Sequence, residues 1–176
     1  MLDKKSFQIK GGSVDIMLVG QDGGKEEYFI VADSDGQQVG YCAFKLNKRS
    51  ADLSRIVVTD PDFLNRGVGH TMMYCMEQFC HRQGITDIHG YYVPRVYKNA
   101  DEITSKFYSR HNFIGDGYEG EYFDRDEIFA NVHDRGEEYL LTPIYDEELY
   151  NRIYDYNYNS CDLFSSGPKE KFSLEI

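Results

Sequence analysis

The hydrophobic pattern of the chain changes its period at Asp60-Pro61, and this change limits the available folds more than any other feature. Before it, apolar and polar side chains alternate as they do in strands, over the segments 27–32, 38–46 and 51–59. Ser34-Asp35-Gly36 lies between the first two segments and favours a tight hairpin turn. After it, apolar side chains recur at helical spacing from Gly67 to Gln83, and Gly84 suits a helix C-cap. The sequence therefore predicts an antiparallel meander that leads into a helix.

A strand predicted at 85–93 completes a strand–helix–strand unit. Such a crossover is right-handed, so the strands on either side of the helix should run parallel. A second helix is predicted at 101–111, where Asn99 and Glu102 have capping-box spacing and Asn112 suits the left-handed end. Further predicted elements are strands at 14–19, 113–114 and 138–142 and a helix at 147–156. The fold class is therefore α/β (α+β), with a mixed, mostly antiparallel sheet of six to seven strands and flanking helices.

The composition limits the partners and the compartment. A formal net charge of −11 would repel a phosphate backbone, so we expect no nucleic-acid partner. The same charge would attract a cationic acceptor such as a polyamine, an aminoglycoside or a lysine-rich segment. The four cysteines form no CxxC pair, and their spacing predicts no metal site. Because no apolar run approaches the ~20 residues of a membrane span and no secretory signal follows the first lysines, we expect a cytoplasmic protein without a membrane partner.

The glycine-rich turn at 60–71 joins a predicted strand to the start of the predicted helix. Gly67 and Gly69 let the backbone bend tightly there and expose several N–H groups. A helix amino terminus carries about half a positive charge, so the turn suits an anion such as a pyrophosphate. A dinucleotide-binding fingerprint would need a third glycine after a parallel unit, and a Walker loop would need Gly-Lys-Ser/Thr. Neither pattern is present.

The segment 57–69 resembles the fourth strand and the acetyl-CoA loop of the GNAT superfamily of N-acetyltransferases. The loop of that family is Q/R-x-x-G-x-G/A. Gly67 and Gly69 match it, whereas Leu64 stands where Gln or Arg is usual. This departure removes one polar contact and leaves the backbone amides, which do most of the phosphate binding.

A second motif, at 107–113, looks like the F-Y-x-x-x-G-F of the same family, with Asn112 in place of glycine. An asparagine is tolerated in the left-handed conformation that this position requires. The two motifs occur in the family's order and spacing. They imply a GNAT-like domain over 1–143, with a splayed parallel pair formed by the family's fourth and fifth strands. Residues 144–176 would be a C-terminal extension packed on the same domain.

The resemblance implies direct transfer of an acetyl group from acetyl-CoA to a primary amine, without an acyl-enzyme. The splayed strands would leave the backbone of Val57 and Thr59 for the pantetheine arm, and an N–H near Val58 would polarise the thioester carbonyl. Tyr108 would protonate the leaving thiolate as the general acid, because a tyrosine is protonated at neutral pH.

The same resemblance assigns the residues that contact acetyl-CoA. An asparagine at the start of the second helix binds the arm in relatives. Asn99 takes that role here, or Asp101 in its place, since Asn99 lies two residues farther from Tyr108 than is usual. The full set of implied cofactor residues is Val57, Val58, Thr59, Leu64, Asn65, Arg66, Gly67, Val68, Gly69, His70, Thr71 and Asn99.

The general base is left open by the sequence. Relatives that use a strand-four glutamate would place it where this chain has Leu53, which cannot accept a proton. Asp52, His89 and a water relay are the alternatives. Arg55 would face the same side as Leu53 in a regular strand and reach the acceptor pocket. It would favour an acceptor that carries a carboxylate, in contrast to the cationic acceptor that the net charge favours.

The two ends of the chain also depart from the family. Relatives place two helices between the first two strands, and these helices wall the acceptor site. Residues 10–27 are too short and too glycine-rich for both helices. We expect the connection 117–136 or the tail 145–176 to form the acceptor wall instead, or a homodimer interface.

Two other functions are compatible with the sequence. The first is a non-catalytic acyl-CoA-binding or sensor protein on the same fold, suggested by Leu53 and Leu64. The second is an interaction protein whose acidic face mimics nucleic acid, which would require its carboxylates to lie on one face.

Overall fold

The computed structural model describes residues 4–21, 27–85, 87–91, 106–108, 110–111, 122–125 and 138–159. In chain order the strands are β1 (Lys5–Ile9), β2 (Gly12–Gly20), β3 (Glu27–Ser34), β4 (Gln37–Leu46), β5 (Ser50–Val58), β6 (Asp87–Tyr91), β7 (Tyr122–Arg125) and β8 (Pro143–Tyr145). The helices are a 3-10 turn (Pro61–Phe63), α1 (Val68–Arg82) and α2 (Glu147–Asn159). Residues 106–108 and 110 are also helical.

The described strands form a single mixed sheet. Strands β1 to β7 lie side by side in chain order, and β8 joins the sheet beside β2. The β5–β6 and β2–β8 pairs are parallel and the others are antiparallel. This confirms the predicted mixed, mostly antiparallel fold and the parallel strands around α1. The described part of the chain contains eight strands rather than the predicted six or seven, and β1 and β7 lie where no strand was predicted.

One edge of β2 is shared by two short strands from distant parts of the chain. Strand β1 pairs with its first half, from Gly12 to Ile16, and β8 pairs with Leu18 to Gly20. Most of the span 10–27, where the resemblance would place two helices, is occupied by β2.

The strand predicted at 138–142 is wrong. Residues 138–142 belong to no strand of the structure: 138–139 form a turn, and the Tyr139 ring stacks on Phe7 with centroids 5.2 Å apart. The strand begins at Pro143, after the buried Leu141. Proline is tolerated there because it is the first residue of a short strand at the sheet edge. The helix predicted at 147–156 is confirmed as α2, whereas Asn99, Asn112 and the strand at 113–114 lie outside the described residues.

Side chains of alternating strand residues build two apolar layers. On one face of the sheet α1 covers the larger layer, and its Met72 and Met76 are fully buried beside Phe44. On the opposite face α2 covers the smaller layer, with Leu149 and Ile153 packed among strand residues. Each fully buried aliphatic side chain contributes about 1.5–3 kcal/mol. We refer to these surfaces as the α1 face and the α2 face.

No helix within the described ranges is both long and apolar enough to cross a membrane.

Candidate functional site

The glycine-rich turn lies at the amino end of α1. The Asp62 N–H donates to Asp60 Oδ1 at 2.9 Å, which fixes the short 3-10 turn. Asn65 and Gly67 then adopt left-handed φ angles of 60° and 96°. No heavy atom lies within 4 Å of a Cβ built on Gly67, so the glycine is required by its backbone angle rather than by crowding.

The first turn of α1 presents backbone amides toward the glycine-rich turn. Thr71 closes the cap, because its N–H and its hydroxyl both donate to the Gly67 carbonyl, at 3.0 and 2.8 Å. The amides of Val68, Gly69 and His70 precede that first intrahelical bond. A Cβ on Gly69 would lie 3.2 Å from the Phe107 ring, so the second glycine lets the helical residues 106–108 pack closely on α1. Together these amides suit an anion.

The Arg66 side chain ties the turn to the β1–β2 hairpin. Its Nε donates to the Lys10 carbonyl at 2.7 Å, and its Nη1 donates to the Asp62 carbonyl at 3.2 Å. The guanidinium also lies 4.5 Å from the Phe63 ring centroid. The Arg66 side chain therefore stabilises the conformation of the glycine-rich turn. The neighbouring Leu64 side chain is 45% exposed.

Strands β5 and β6 pair over only part of their length. Their register ends at Leu53 opposite Gly90, and among the described residues 55–58 pair only with β4. The Thr59 N–H donates to the Val39 carbonyl at 2.8 Å, so this amide belongs to the ladder with β4. In an antiparallel ladder the backbone N–H and C=O groups of successive residues point to opposite edges of the strand. Those of Ile56 and Val58 therefore point away from β4. This corrects the expectation that Val57 and Thr59 would offer the free backbone.

A β-bulge reverses the side on which Arg55 lies. Ala43 is opposite Arg55 and Phe44 is opposite Leu53, which leaves Ser54 as the extra residue in β5. Leu53 is buried on the α1 face, whereas Arg55 Nη1 donates to the Tyr41 hydroxyl at 3.2 Å on the α2 face. The prediction that Arg55 and Leu53 face the same side is therefore wrong.

The two candidate bases are neighbours across the parallel pair. Asp52 of β5 lies directly opposite His89 of β6. Asp52 alternates with Ala51 and Leu53, which are buried on the α1 face, so it lies on the α2 face with Arg55. Its exposed carboxylate accepts from Asn47 Nδ2 at 2.7 Å, and His89 is partly exposed. The structure therefore makes Asp52 and His89 neighbours and places Arg55 on the same face of the sheet.

Tyr108 lies in the apolar layer against α1. It is 7% exposed, its ring meets that of Phe107 edge-on at 5.4 Å, and its carbonyl accepts the His111 N–H at 3.1 Å. The helical residues 106–108 thus connect Tyr108 to the start of α1 through the Phe107–Gly69 contact. Asn99 and Asp101 lie outside the described residues.

A chain of three polar side chains leads from the core to the glycine-rich turn. His70 Nδ1 and His111 Nε2 are 2.7 Å apart, and His111 Nδ1 is 3.4 Å from Glu77 Oε1. Glu77 and His111 are both fully buried. Glu77 and His111 were not predicted as site residues, although a glutamate between Met76 and Cys80 in a helical apolar pattern is a detectable signal. Within the described ranges, no three His, Cys, Asp or Glu side chains are grouped so as to hold a metal ion.

Comparison with known proteins identifies the class. A family model described as an acetyltransferase (GNAT) domain matches residues 25–114. The chain belongs to the GNAT acetyltransferase family. None of the curated proteins matches the chain.

Solved structures share the fold at low sequence identity. A cAMP-binding acyltransferase from Mycobacterium smegmatis is 13% identical with a TM-score of 0.59, and the match covers 93% of this chain and 56% of that one. The PaiA N-acetyltransferase from Thermoplasma acidophilum, in complex with coenzyme A, is 19% identical with a TM-score of 0.49, and the match covers 57% and 61%. A GNAT-family acetyltransferase from Staphylococcus aureus Mu50 is 19% identical with a TM-score of 0.48, over 57% and 67%. The chain thus spans less than two thirds of the length of the first two proteins.

Proposed function

We propose that the protein is a cytoplasmic N-acetyltransferase that moves an acetyl group from acetyl-CoA to a primary amine within a ternary complex. The observation that carries the proposal is the junction at the end of β5. There the end of β5, which in the described part of the chain extends past its pairing with β6, leads through the glycine-rich turn into the amino end of α1. A strand edge suits an extended arm that carries amides, and a helix amino end suits a pyrophosphate. The two sites follow each other here in the order of those two groups.

The cosubstrate would lie across this junction. The amides of Val68, Gly69 and His70 would bind its diphosphate, because they carry the positive end of the α1 dipole. The pantetheine arm would add as a short strand to the edge of β5 and bond the backbone of Ile56 and Val58. Asn99 would contact the same arm.

The transfer itself requires few groups. The amine nitrogen attacks the thioester carbonyl carbon, and the carbonyl oxygen gains negative charge that the Val58 N–H stabilises. The carbon–sulfur bond then breaks, and the Tyr108 hydroxyl donates its proton to the departing thiolate. A tyrosine suits this step because its ordinary pKa near 10 keeps it protonated at neutral pH.

The acceptor would approach from the α2 face. Asp52 and His89 lie opposite each other there, and either, directly or through a water, would take the proton that the ammonium group must lose. Arg55 would bind a carboxylate on the acceptor, since a guanidinium matches that group in shape and charge. We therefore favour an amine that carries a carboxylate over a simple polyamine.

The C-terminal helix α2 would form one wall of the acceptor site. It packs on the face that carries Arg55, and the Tyr150 hydroxyl fixes it by donating to Glu27 Oε2 at 2.9 Å. The alternative role is a homodimer interface. Deletion of 157–176 tests the tail: unchanged activity together with an unchanged oligomeric state would exclude both roles for it.

A non-catalytic acyl-CoA-binding protein is the second candidate. It is favoured by Leu53, which is buried where relatives carry a catalytic glutamate. The two candidates share the cosubstrate site and differ only in turnover.

The first experiment is thermal unfolding with acetyl-CoA and with CoA, followed by thiol release against a panel of amines with and without a carboxylate. A ligand at 100 times its Kd should add about 2.7 kcal/mol to the free energy of unfolding, which raises the Tm. A Tm shift with thiol release supports the enzyme, and a shift without release for any amine supports the binding protein. The absence of a shift with both ligands would refute both candidates.

A further inference from the structure

The β1–β2 hairpin and the glycine-rich turn are joined through one pair of residues, Lys10 and Arg66. The Lys10 N–H donates to the Arg66 carbonyl at 2.9 Å, and Arg66 Nε donates to the Lys10 carbonyl at 2.7 Å. Both distances are those of good hydrogen bonds. Because the two residues are 56 positions apart in the sequence, this connection is tertiary and does not belong to the turn alone.

The backbone on either side of Arg66 has an unfavourable conformation. Asn65 and Gly67 have left-handed φ angles of 60° and 96°. The left-handed region is costly for a residue with a side chain, although asparagine tolerates it better than most residues do. The bonds between Arg66 and Lys10 therefore hold the turn in a conformation that its own sequence favours only in part.

The Arg66 guanidinium is itself fixed by its surroundings. Its Nη1 donates to the Asp62 carbonyl at 3.2 Å, and the group lies 4.5 Å from the Phe63 ring centroid. Its Nη2 lies against the tip of the hairpin, where a Cβ built on Gly11 would be 3.3 Å away. A side chain at Gly11 would therefore displace a guanidinium that two hydrogen bonds hold in place.

The turn that Arg66 fixes leads directly into the amides that would bind the diphosphate. Gly67 follows Arg66 as the cap of α1, and the amides of Val68, Gly69 and His70 come next. Backbone amides bind an anion only where the fold places them, because they have no side-chain torsions with which to adapt. The position of the turn thus decides the position of the proposed diphosphate site.

We propose that the β1–β2 hairpin is part of the cosubstrate site, with Arg66 as the positioning residue through which the hairpin holds the diphosphate-binding amides. The guanidinium acts on the turn and is not itself a ligand of the diphosphate. This inference rests on the proposed function, since it assumes that CoA binds at the start of α1. It predicts that a substitution at the hairpin tip weakens CoA binding, although Gly11 lies outside the glycine-rich turn.

The test measures the Kd of CoA by calorimetry for two matched glycine variants. Gly11→Ala places a Cβ against Arg66, whereas Gly36→Ala places one in the β3–β4 turn, with no heavy atom within 4 Å. The φ angles of the two glycines are 82° and 83°, so both variants should lose similar unfolding free energy. Only Gly11→Ala should also bind CoA more weakly, by about threefold.

Two substitutions of Arg66 separate positioning from direct charge attraction. Arg66→Met removes the charge and both side-chain hydrogen bonds. Arg66→Lys keeps the charge but lacks the planar fork that joins the Lys10 and Asp62 carbonyls. A positioning role requires both variants to raise the Kd of CoA about tenfold. Wild-type affinity in Arg66→Lys would show that the charge acts on the ligand directly, and would overturn the positioning role.

A double variant tests whether the hairpin acts through Arg66. When Gly11→Ala is added to Arg66→Met, CoA binding should not weaken further, because the guanidinium that the new Cβ would displace is absent. Independent losses that multiply in the double variant would overturn this route. If Gly11→Ala does not fold, as judged by its thermal unfolding, the two Arg66 variants decide the proposal.

Failure of this inference is distinguishable from failure of the proposed function. A wild type that binds CoA, together with a Gly11→Ala variant that binds it as tightly as Gly36→Ala does, would refute the role of the hairpin and leave the proposed function intact. If the wild type itself does not bind CoA, the proposed function fails.

Discussion

The two faces of the sheet carry polar groups of different kinds. On the α1 face Glu77 and His111 are fully buried, and His111 lies 3.4 Å from Glu77 and 2.7 Å from His70. On the α2 face the polar groups lie nearer the surface, where the exposed Asp52 accepts from Asn47 and Arg55 donates to the Tyr41 hydroxyl. A buried network fixes its members in one arrangement, whereas exposed groups can adapt to a ligand.

This difference suggests that the two faces bind different substrates. The α1 face would recognise a cosubstrate whose diphosphate never varies, so a rigid site suits it. The α2 face would receive the acceptor, which varies among members of one fold because specificity is built from replaceable side chains. Four substitutions test whether the two faces act separately.

Tyr108→Phe should have the largest effect. It removes the proposed acid and keeps the ring, so kcat should fall about 100-fold while the Kd of CoA stays unchanged. Tyr154→Phe on the exposed side of α2 is the matched control. Steady-state thiol release and calorimetry measure the two quantities, and a kcat that survives in Tyr108→Phe would remove the tyrosine from the mechanism.

Gly67→Ala should weaken acetyl-CoA binding about tenfold, because an alanine resists the left-handed φ of 96° and displaces the amides that follow. Gly36→Ala is its control, since Gly36 has a similar φ of 83° and an equally open Cβ position in the β3–β4 turn. Both variants should lose about 1 kcal/mol of unfolding free energy. Equal losses of affinity in the two would show that the effect is general strain rather than a site at Gly67.

Arg55→Met should act only on the acceptor. The kcat/KM ratio of a carboxylate-bearing amine to the same amine without its carboxylate should fall about fivefold, since one exposed charge-assisted contact is lost. The KM of acetyl-CoA should not change. Arg82→Met, at the carboxyl end of α1, should leave both quantities unaltered. A change in acetyl-CoA KM for Arg55→Met would mean that the two faces are coupled.

Leu64→Gln should have the smallest effect, about a twofold gain in affinity for acetyl-CoA. The side chain is 45% exposed in the glycine-rich turn, so an amide there can add one solvent-screened contact. Leu64→Met is the control and should match the wild type. Isothermal titration measures the gain, and weaker binding by Leu64→Gln would show that this leucine packs on the ligand.

Local patterns predicted most of the fold. The strands before Asp60 and the helix after Gly67 follow from side-chain period, and the parallel β5–β6 pair follows from the handedness of the crossover. The glycine-rich turn was predictable because left-handed positions favour glycine. Each of these features depends on residues that are near one another in the sequence.

The errors involve partners distant in the sequence. Arg55 was assigned to the wrong face because of the bulge at Ser54, which depends on how β5 pairs with β4. The residues of β5 alone do not predict this bulge. The strand expected at 138–142 has suitable residues, but Tyr139 lies in a turn and stacks on Phe7, a residue more than 130 positions away in the sequence. The sequence around His111 predicts only the end of a helix. Its contact with Glu77 depends on how this segment packs against α1, which the sequence does not show.

The shared edge of β2 has a consequence for how the protein is made. A ribosome releases β2 early and β8 late, so Leu18 to Gly20 remain an unpaired strand edge during most of synthesis. Such an edge is a site where nascent chains can adhere to one another. We therefore expect translation that stalls before Tyr145 to yield aggregation-prone fragments, even though the meander and α1 would already be complete.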